Sequence, residues 1–261
     1  MSHTVERRGS GTRLLLLHSG FCTWVEFRRL IDELAADHEV IAPTLPGSFG
    51  GPPLDVRRSM LTQHLEYVET LLDGAGWTDP VAVVGSSFGG VAALELQARG
   101  RGSRVMALAP PWVAGAGVAF YGALFAGLPA IGLSRRMWPR TTRSGPINGL
   151  WFHQSRTPPE IDPEDVGELL ESWSRFPLYR VGRAAGRRGP GMPELARIDQ
   201  GAVTMVWGGR DFLVPHWMRR RWAEALPGAQ VVDLPGFPHQ PHLRSAARIA
   251  GLIREWDSAL L

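Results

Sequence analysis

Val81-Ala82-Val83-Val84-Gly85-Ser86-Ser87-Phe88-Gly89-Gly90-Val91-Ala92-Ala93-Leu94 is the stretch on which the fold turns. It opens as a short apolar, β-branched run, turns at Gly85–Gly89, and resumes with good helix formers through Leu96. That order is strand, sharp turn, helix, with Gly-x-Ser-x-Gly at the turn. A turn of this kind pushes one side chain out beyond the carboxyl end of a sheet, and the spacing selects Ser87. Side chains at 85 and 89 would collide with the neighbouring strand and helix, so glycine suits both places. The following helix aims its positive end at the same point, and the N–H of Phe88 is placed to donate to an oxyanion. Glycine-rich chains produce this motif by chance, and this one has 31 glycines. The flanking strand and helix, and the search for a base and an acid elsewhere, decide its meaning.

Outward from the turn, the same rhythm repeats. Arg13–Leu17, Glu39–Ala42, Arg104–Ala109, Ala202–Trp207 and Gln230–Leu234 read as strands. Val25–Ala36, Thr62–Leu72, Trp217–Leu226 and Ser245–Leu260 read as helices with apolar residues at helical spacing. Alternation of this kind predicts an α/β fold with a mostly parallel sheet covered on both faces. The rhythm breaks from Trp112 to about Leu195, a segment rich in glycine, proline and aromatic residues. A long insertion after a sheet strand reads as a lid, and its aromatic load argues against disorder. Helical patches within it are Val118–Phe125, Pro163–Ser174 and Leu178–Ala185. The expected division is a core of 1–111 and 196–261 with a helical cap of 112–195.

Composition narrows the chemistry. All 28 basic residues are arginine, which excludes a lysine nucleophile or Schiff base. Net charge is +3, too weak to argue for nucleic acid. One cysteine, Cys22, permits neither an internal disulfide nor a cysteine-type metal site. Leu14–Leu17 is too short for a signal-peptide core or a membrane span, so the reading is a cytoplasmic, soluble protein. No cofactor, no metal, no nucleic-acid partner and no membrane are expected; the partner is a small-molecule substrate.

A serine hydroxyl needs a general base, and the base needs an orienting acid. Both belong in loops at the carboxyl ends of strands. Asp211 follows the strand ending at Trp207, and His239 follows the strand ending at Leu234. The chain order Ser, Asp, His is the one expected with this elbow. His242 competes with His239 as base, and Asp233 with Asp211 as acid; spacing from Gly236 favours His239, and Asp233 precedes its loop.

At this point the chain resembles the α/β-hydrolase fold enzymes of the group with a helical cap. Leu16-Leu17-His18-Ser19-Gly20 resembles their oxyanion loop, and Ala42-Pro43-Thr44-Leu45-Pro46-Gly47 the loop after the next strand. Gly85–Gly90 resembles the nucleophile elbow, Trp207–Pro215 the acid loop, and Gly236–Leu243 the histidine loop. The resemblance implies Ser87 as nucleophile, His239 as base, Asp211 as orienting acid, and N–H groups of Phe88 and of Gly20 or Phe21 as the oxyanion hole. Two departures stand out: Ser19 where the family has glycine, and Thr44 where it often has aspartate. Serine at the elbow separates the chain from aspartate-nucleophile relatives such as haloalkane dehalogenases and epoxide hydrolases. The leading expectation is a serine hydrolase cleaving an ester, thioester, lactone or carbon–carbon bond of an apolar or aromatic small molecule. Cofactor-free haloperoxidase or acyl-transfer chemistry on the same triad is the second, and a non-catalytic binding protein the third. A pocket lined by His18, Trp112, Trp151, Phe152, His153 and Phe237 completes the reading. His18 is also a natural anchor for its loop, Ser86 a packing residue and Cys22 a buried filler.

Overall fold

The computed structural model describes residues 4–126, 163–175 and 190–258. A seven-stranded sheet runs through it in the order β1-β3-β2-β4-β5-β6-β7. The strands are β1 (Val5–Arg8), β2 (Thr12–Leu17), β3 (His38–Pro43), β4 (Val81–Ser86), β5 (Gly102–Leu108), β6 (Val203–Gly208) and β7 (Gln230–Leu234). All neighbours pair in parallel except β1, which lies antiparallel on β3. The described helices are α1 (Arg28–Leu34), α2 (Met60–Gly74), α3 (Phe88–Ala98), α4 (Ala116–Ala126), α5 (Pro163–Arg175), α6 (His216–Ala225), α7 (Pro241–Arg244) and α8 (Ala246–Ser258).

The period of two along a strand explains why apolar runs, not alternating ones, mark this sheet. In β2, Leu15 and Leu17 enter the core under α2, α3 and α6, while Leu14 and Leu16 enter the opposite core under α1 and α8. In β4, Val81 and Val83 divide from Ala82 and Val84 in the same way. Along the central strands both faces are therefore dry, and the functional groups are left to the sheet's ends.

The strand order reverses between β2 and β4: they are neighbours, yet the chain visits β3 between them. That leaves a crevice at their carboxyl ends, the usual place for a site in such sheets. Two glycines close the sheet against α3 there. A Cβ on Gly89 would stand 2.0 Å from the Leu17 carbonyl oxygen, and one on Gly85 would stand 2.2 Å from that of Gly89. Both obstacles are backbone, which yields little. Gly89→Ala is accordingly expected to cost about 3 kcal/mol; a urea midpoint like that of the wild type would refute it.

Several expected boundaries shift. Strand β1 lies within the polar Met1–Gly11 start, where no strand was expected. The helix expected from Val25 begins as a 3-10 turn, Trp24–Phe27, capped by the Thr23 hydroxyl, before α1. Part of the 235–242 loop is helical, as α7. The insertion contributes α4 and α5 where two helical patches were expected; the third, Leu178–Ala185, lies outside the described residues, as does most of 112–195. Helix α5 docks on the segment after β2: Arg28 Nε donates to both Asp165 oxygens at 2.9 Å, and the Thr23 hydroxyl donates to Glu168 at 3.0 Å.

Candidate active site

Four loops meet at the carboxyl ends of β2, β4, β6 and β7. At the end of β4, Ser87 has φ 52° and ψ −120°. Among the described residues, the other non-glycine residues with left-handed φ are Phe21 (72°) and Ala109 (48°), in the segments following β2 and β5. Strain of this kind costs roughly 1–3 kcal/mol per residue and persists only where the surroundings impose it. At Ser87 they do: its N–H donates to the Leu108 carbonyl at 2.7 Å, and its own carbonyl accepts from Gly90 at 2.9 Å. The residue is half-buried. Phe88 begins α3, so its N–H has no acceptor within the helix.

His239 Nδ1 lies 2.8 Å from Asp211 Oδ2. The other Asp211 oxygen accepts the N–H groups of Leu213 (2.8 Å) and Val214 (3.0 Å). The Asp211 side chain is fully buried, and three donors satisfy it. An ionised carboxylate only accepts, so the shared proton belongs on Nδ1 and leaves Nε2 as the basic nitrogen. The rival pairings do not form: Asp233 is exposed and meets Arg219 at 3.3 Å, while His242 is buried beside Glu26.

After β2, Ser19–Cys22 forms a tight turn closed by Cys22 N–H to the Ser19 carbonyl, 3.1 Å. Gly20 abuts the elbow; a Cβ there would lie 3.6 Å from that of Phe88. His18 holds the turn from behind. Its Nδ1 donates to the Ser19 carbonyl at 2.7 Å, and its Nε2 accepts the Leu45 N–H at 2.8 Å. Of its two expected roles, the structure gives His18 the anchoring one; both nitrogens are taken and neither is left for a substrate.

Of the other expected pocket residues, Trp112 and Phe237 lie among the described residues. Trp112 is half-buried, edge-to-face with Trp222 at 5.1 Å. Phe237 is half-buried and packs against the opposite core, the one under α1 and α8, while Trp112 packs against the core under α2, α3 and α6. Trp151, Phe152 and His153 lie outside the described residues. A group that sequence reading missed stands directly behind the site. Glu26 is buried, and Ser19, Gln240 and His242 gather round it. Ser86 does more than pack: its Oγ lies 2.9 Å from that of Ser19. The only hint in sequence was the polar residues flanking the expected site residues.

Two buried imidazoles stay neutral. Burial lowers His18 and pushes His64, whose Nε2 donates to the Pro46 carbonyl at 3.0 Å, down to about 3. Between that value and the ordinary 6.5, the unfolded chain binds a proton at residue 64 that the folded chain does not. Stability is therefore lost as pH falls through this window, by about 2 kcal/mol from pH 7 to pH 5 for this group. Urea unfolding at both pH values checks it: His64→Gln, which keeps the donor to Pro46, is expected to lose about 2 kcal/mol less than wild type over that interval. Equal losses would refute the assignment.

Among the described residues no helix is long and apolar enough to cross a membrane. Comparison with known proteins adds the family. The chain is 27% identical over 195 residues to the epoxide hydrolase EphH of Mycobacterium tuberculosis, covering 72% of this chain and 90% of the relative. Among solved structures, the esterase RhEst1 from Rhodococcus sp. ECU1013 superposes with a TM-score of 0.74 at 22% identity, over 98% of this chain and 94% of the other. The epoxide hydrolase VrEH1 from Vigna radiata gives 0.71 at 18%, over 97% and 93%. These likenesses carry the fold. A model of the alpha/beta hydrolase family matches residues 14–252, from the first leucine of β2 into α8, and the chain belongs to that enzyme family.

Proposed function

We propose that this hydrolase cleaves a carboxylic ester of an apolar or aromatic small molecule through a covalent acyl-enzyme on Ser87. The observation that carries the reading is the residue type at the strained elbow. Relatives named epoxide hydrolase and esterase share the fold, and the nucleophile separates the two chemistries. A carboxylate that opens an epoxide forms an ester, which water can cleave. A serine that did so would form an ether, which water under these conditions does not cleave. Serine suits attack on a carbonyl carbon, where both the acyl-enzyme and its hydrolysis are accessible.

The His239–Asp211 pair and the elbow at Ser87 support the following route. His239 Nε2 takes the Ser87 proton as Oγ attacks the carbonyl carbon. Asp211 holds the imidazole in the required tautomer and stabilises the imidazolium. The tetrahedral oxyanion is held by the N–H of Phe88 and by that of Gly20. The peptide argues for Gly20: the Ser19 carbonyl is drawn inward by Cys22 N–H and His18, and a trans peptide turns the Gly20 N–H the opposite way. His239 then passes its proton to the departing alcohol. A water, deprotonated by the same nitrogen, attacks the acyl carbon and releases the acid, which restores Ser87. We take the substrate to be a small molecule met inside the cell. Ser87-dependent reaction with a fluorophosphonate and turnover of a p-nitrophenyl ester test the reading.

A further inference from the structure

We propose that Glu26 is a positioning residue for the reaction, a buried carboxylate that fixes the oxyanion turn against the elbow. The proposal rests on the reading of Ser87 as nucleophile.

The contacts around Glu26 are specific. Its Oε1 accepts the backbone N–H of Ser19 at 2.8 Å and lies 3.2 Å from the Ser19 hydroxyl. Its Oε2 accepts from Gln240 Nε2 at 3.0 Å. Gln240 Nε2 also lies 3.0 Å from Ser19 Oγ, which is 2.9 Å from Ser86 Oγ. These residues come from three of the loops that form the site: Ser19 precedes Gly20, Ser86 precedes Ser87, and Gln240 follows His239. One carboxylate therefore ties the oxyanion turn and the histidine loop together, with the elbow joined through Ser19. His242 Nε2 stands 3.6 Å from Oε1, beyond hydrogen-bond reach, and neither ring nitrogen of His242 has a hydrogen-bond partner among the described residues.

A carboxylate with no exposed side-chain surface is costly to bury. For filling space alone, a neutral residue would serve better. What an ionised carboxylate offers is acceptor capacity at both oxygens, and here every close neighbour is a donor. Burial alone would raise the Glu26 carboxyl; the adjoining His242 and the Ser19 N–H outweigh it and hold it below its ordinary value. The leverage on catalysis lies in the backbone. Glu26 fixes the Ser19 N–H, while His18 and Cys22 fix the Ser19 carbonyl. With both sides of residue 19 pinned, the direction of the next N–H, that of Gly20, is set before substrate arrives. Preorganised donors of this kind act on the transition state and not on ground-state binding.

The test is Glu26→Gln, which keeps the size but turns one acceptor oxygen into a donor facing donors. Three measurements are made per active site: kcat, KM for p-nitrophenyl butyrate, and inhibition by a trifluoromethyl ketone that adds to Ser87 as a tetrahedral adduct. We expect kcat to fall about 10- to 100-fold with KM within about 3-fold. Affinity for the ketone is expected to weaken by the same factor as kcat/KM. Unchanged kcat, or a loss confined to KM with ketone affinity intact, overturns the proposal. Active-site titration removes any unfolded fraction from the count. Should Glu26→Gln not accumulate as folded protein, Gln240→Leu strips one donor from the same carboxylate, with an expected parallel loss of about 3- to 10-fold in kcat and ketone affinity. Wild-type values there overturn it equally. Ser87→Ala, run beside them, separates the two levels. Wild-type turnover in Ser87→Ala sinks the nucleophile reading itself; a dead Ser87→Ala beside an unaffected Glu26→Gln sinks only the brace.

Discussion

Ser87→Ala is expected to lower p-nitrophenyl ester turnover by on the order of 10⁵- to 10⁶-fold and to abolish fluorophosphonate labelling, with the fold intact. The size follows from the route. Without the hydroxyl there is no acyl-enzyme, and what remains is the oxyanion donors acting on a direct attack by water. The fold should survive, because alanine keeps the Cβ, and the bonds that hold residue 87 in its left-handed conformation are backbone ones, to Leu108 and Gly90. A crystal or near-UV spectrum like that of wild type, with labelling gone, is the expected pairing. Equal labelling of variant and wild type would place the reactive group elsewhere and remove the basis for an acyl-enzyme.

His239→Ala should approach the same loss, and Asp211→Asn a smaller one of roughly 10⁴-fold, because a nucleophile and its base act as one unit. The asparagine variant is the sharper experiment. Asp211 accepts two backbone N–H groups on one oxygen and His239 Nδ1 on the other. An amide that keeps its oxygen on the backbone pair presents its NH₂ to the imidazole. The imidazole must then offer Nδ1 as acceptor, which places the proton on Nε2, where the base is needed bare. The loss should appear in kcat with little change in KM. Turnover within 10-fold of wild type would show that Asp211 does not set the tautomer.

The sheet and the elbow were legible in the sequence because each element there is locally consistent. Leucine and valine runs specify strands buried on both faces, and glycines sit where backbones touch. Strand β1 was not legible. Val5-Glu6-Arg7-Arg8 lies at the sheet edge, half-exposed, and its apolar content is too low to announce a strand; its register comes from pairing with β3. Asp211 and His239 were legible because a loop after a strand narrows the choice to a few residues. Glu26 was not. In Trp24-Val25-Glu26-Phe27 a charge reads as the wet side of an amphipathic helix, yet all of these residues are buried. Its burial depends on Gln240, 214 residues away, and no local pattern carries that information. The surroundings of Phe237 were not legible either. Phe237 follows a strand, but after the turn at Gly236 (φ 80°) its half-buried ring packs against the core under α1 and α8.

The docking of α5 has a consequence for engineering. Insertions between core strands are often treated as exchangeable modules for altering substrate range. Here Arg28 and Thr23, in the segment that leads from the Gly20 turn into α1, are bonded to Asp165 and Glu168 of the insertion. The N–H of Phe49 bonds to the hydroxyl of Ser172 from the same helix. A chimera that replaced this helix without those three side chains would leave donors of the segments after β2 and β3 unmatched. Such a graft would alter turnover along with selectivity, and a transplanted sequence would have to bring its own matching carboxylates and hydroxyl.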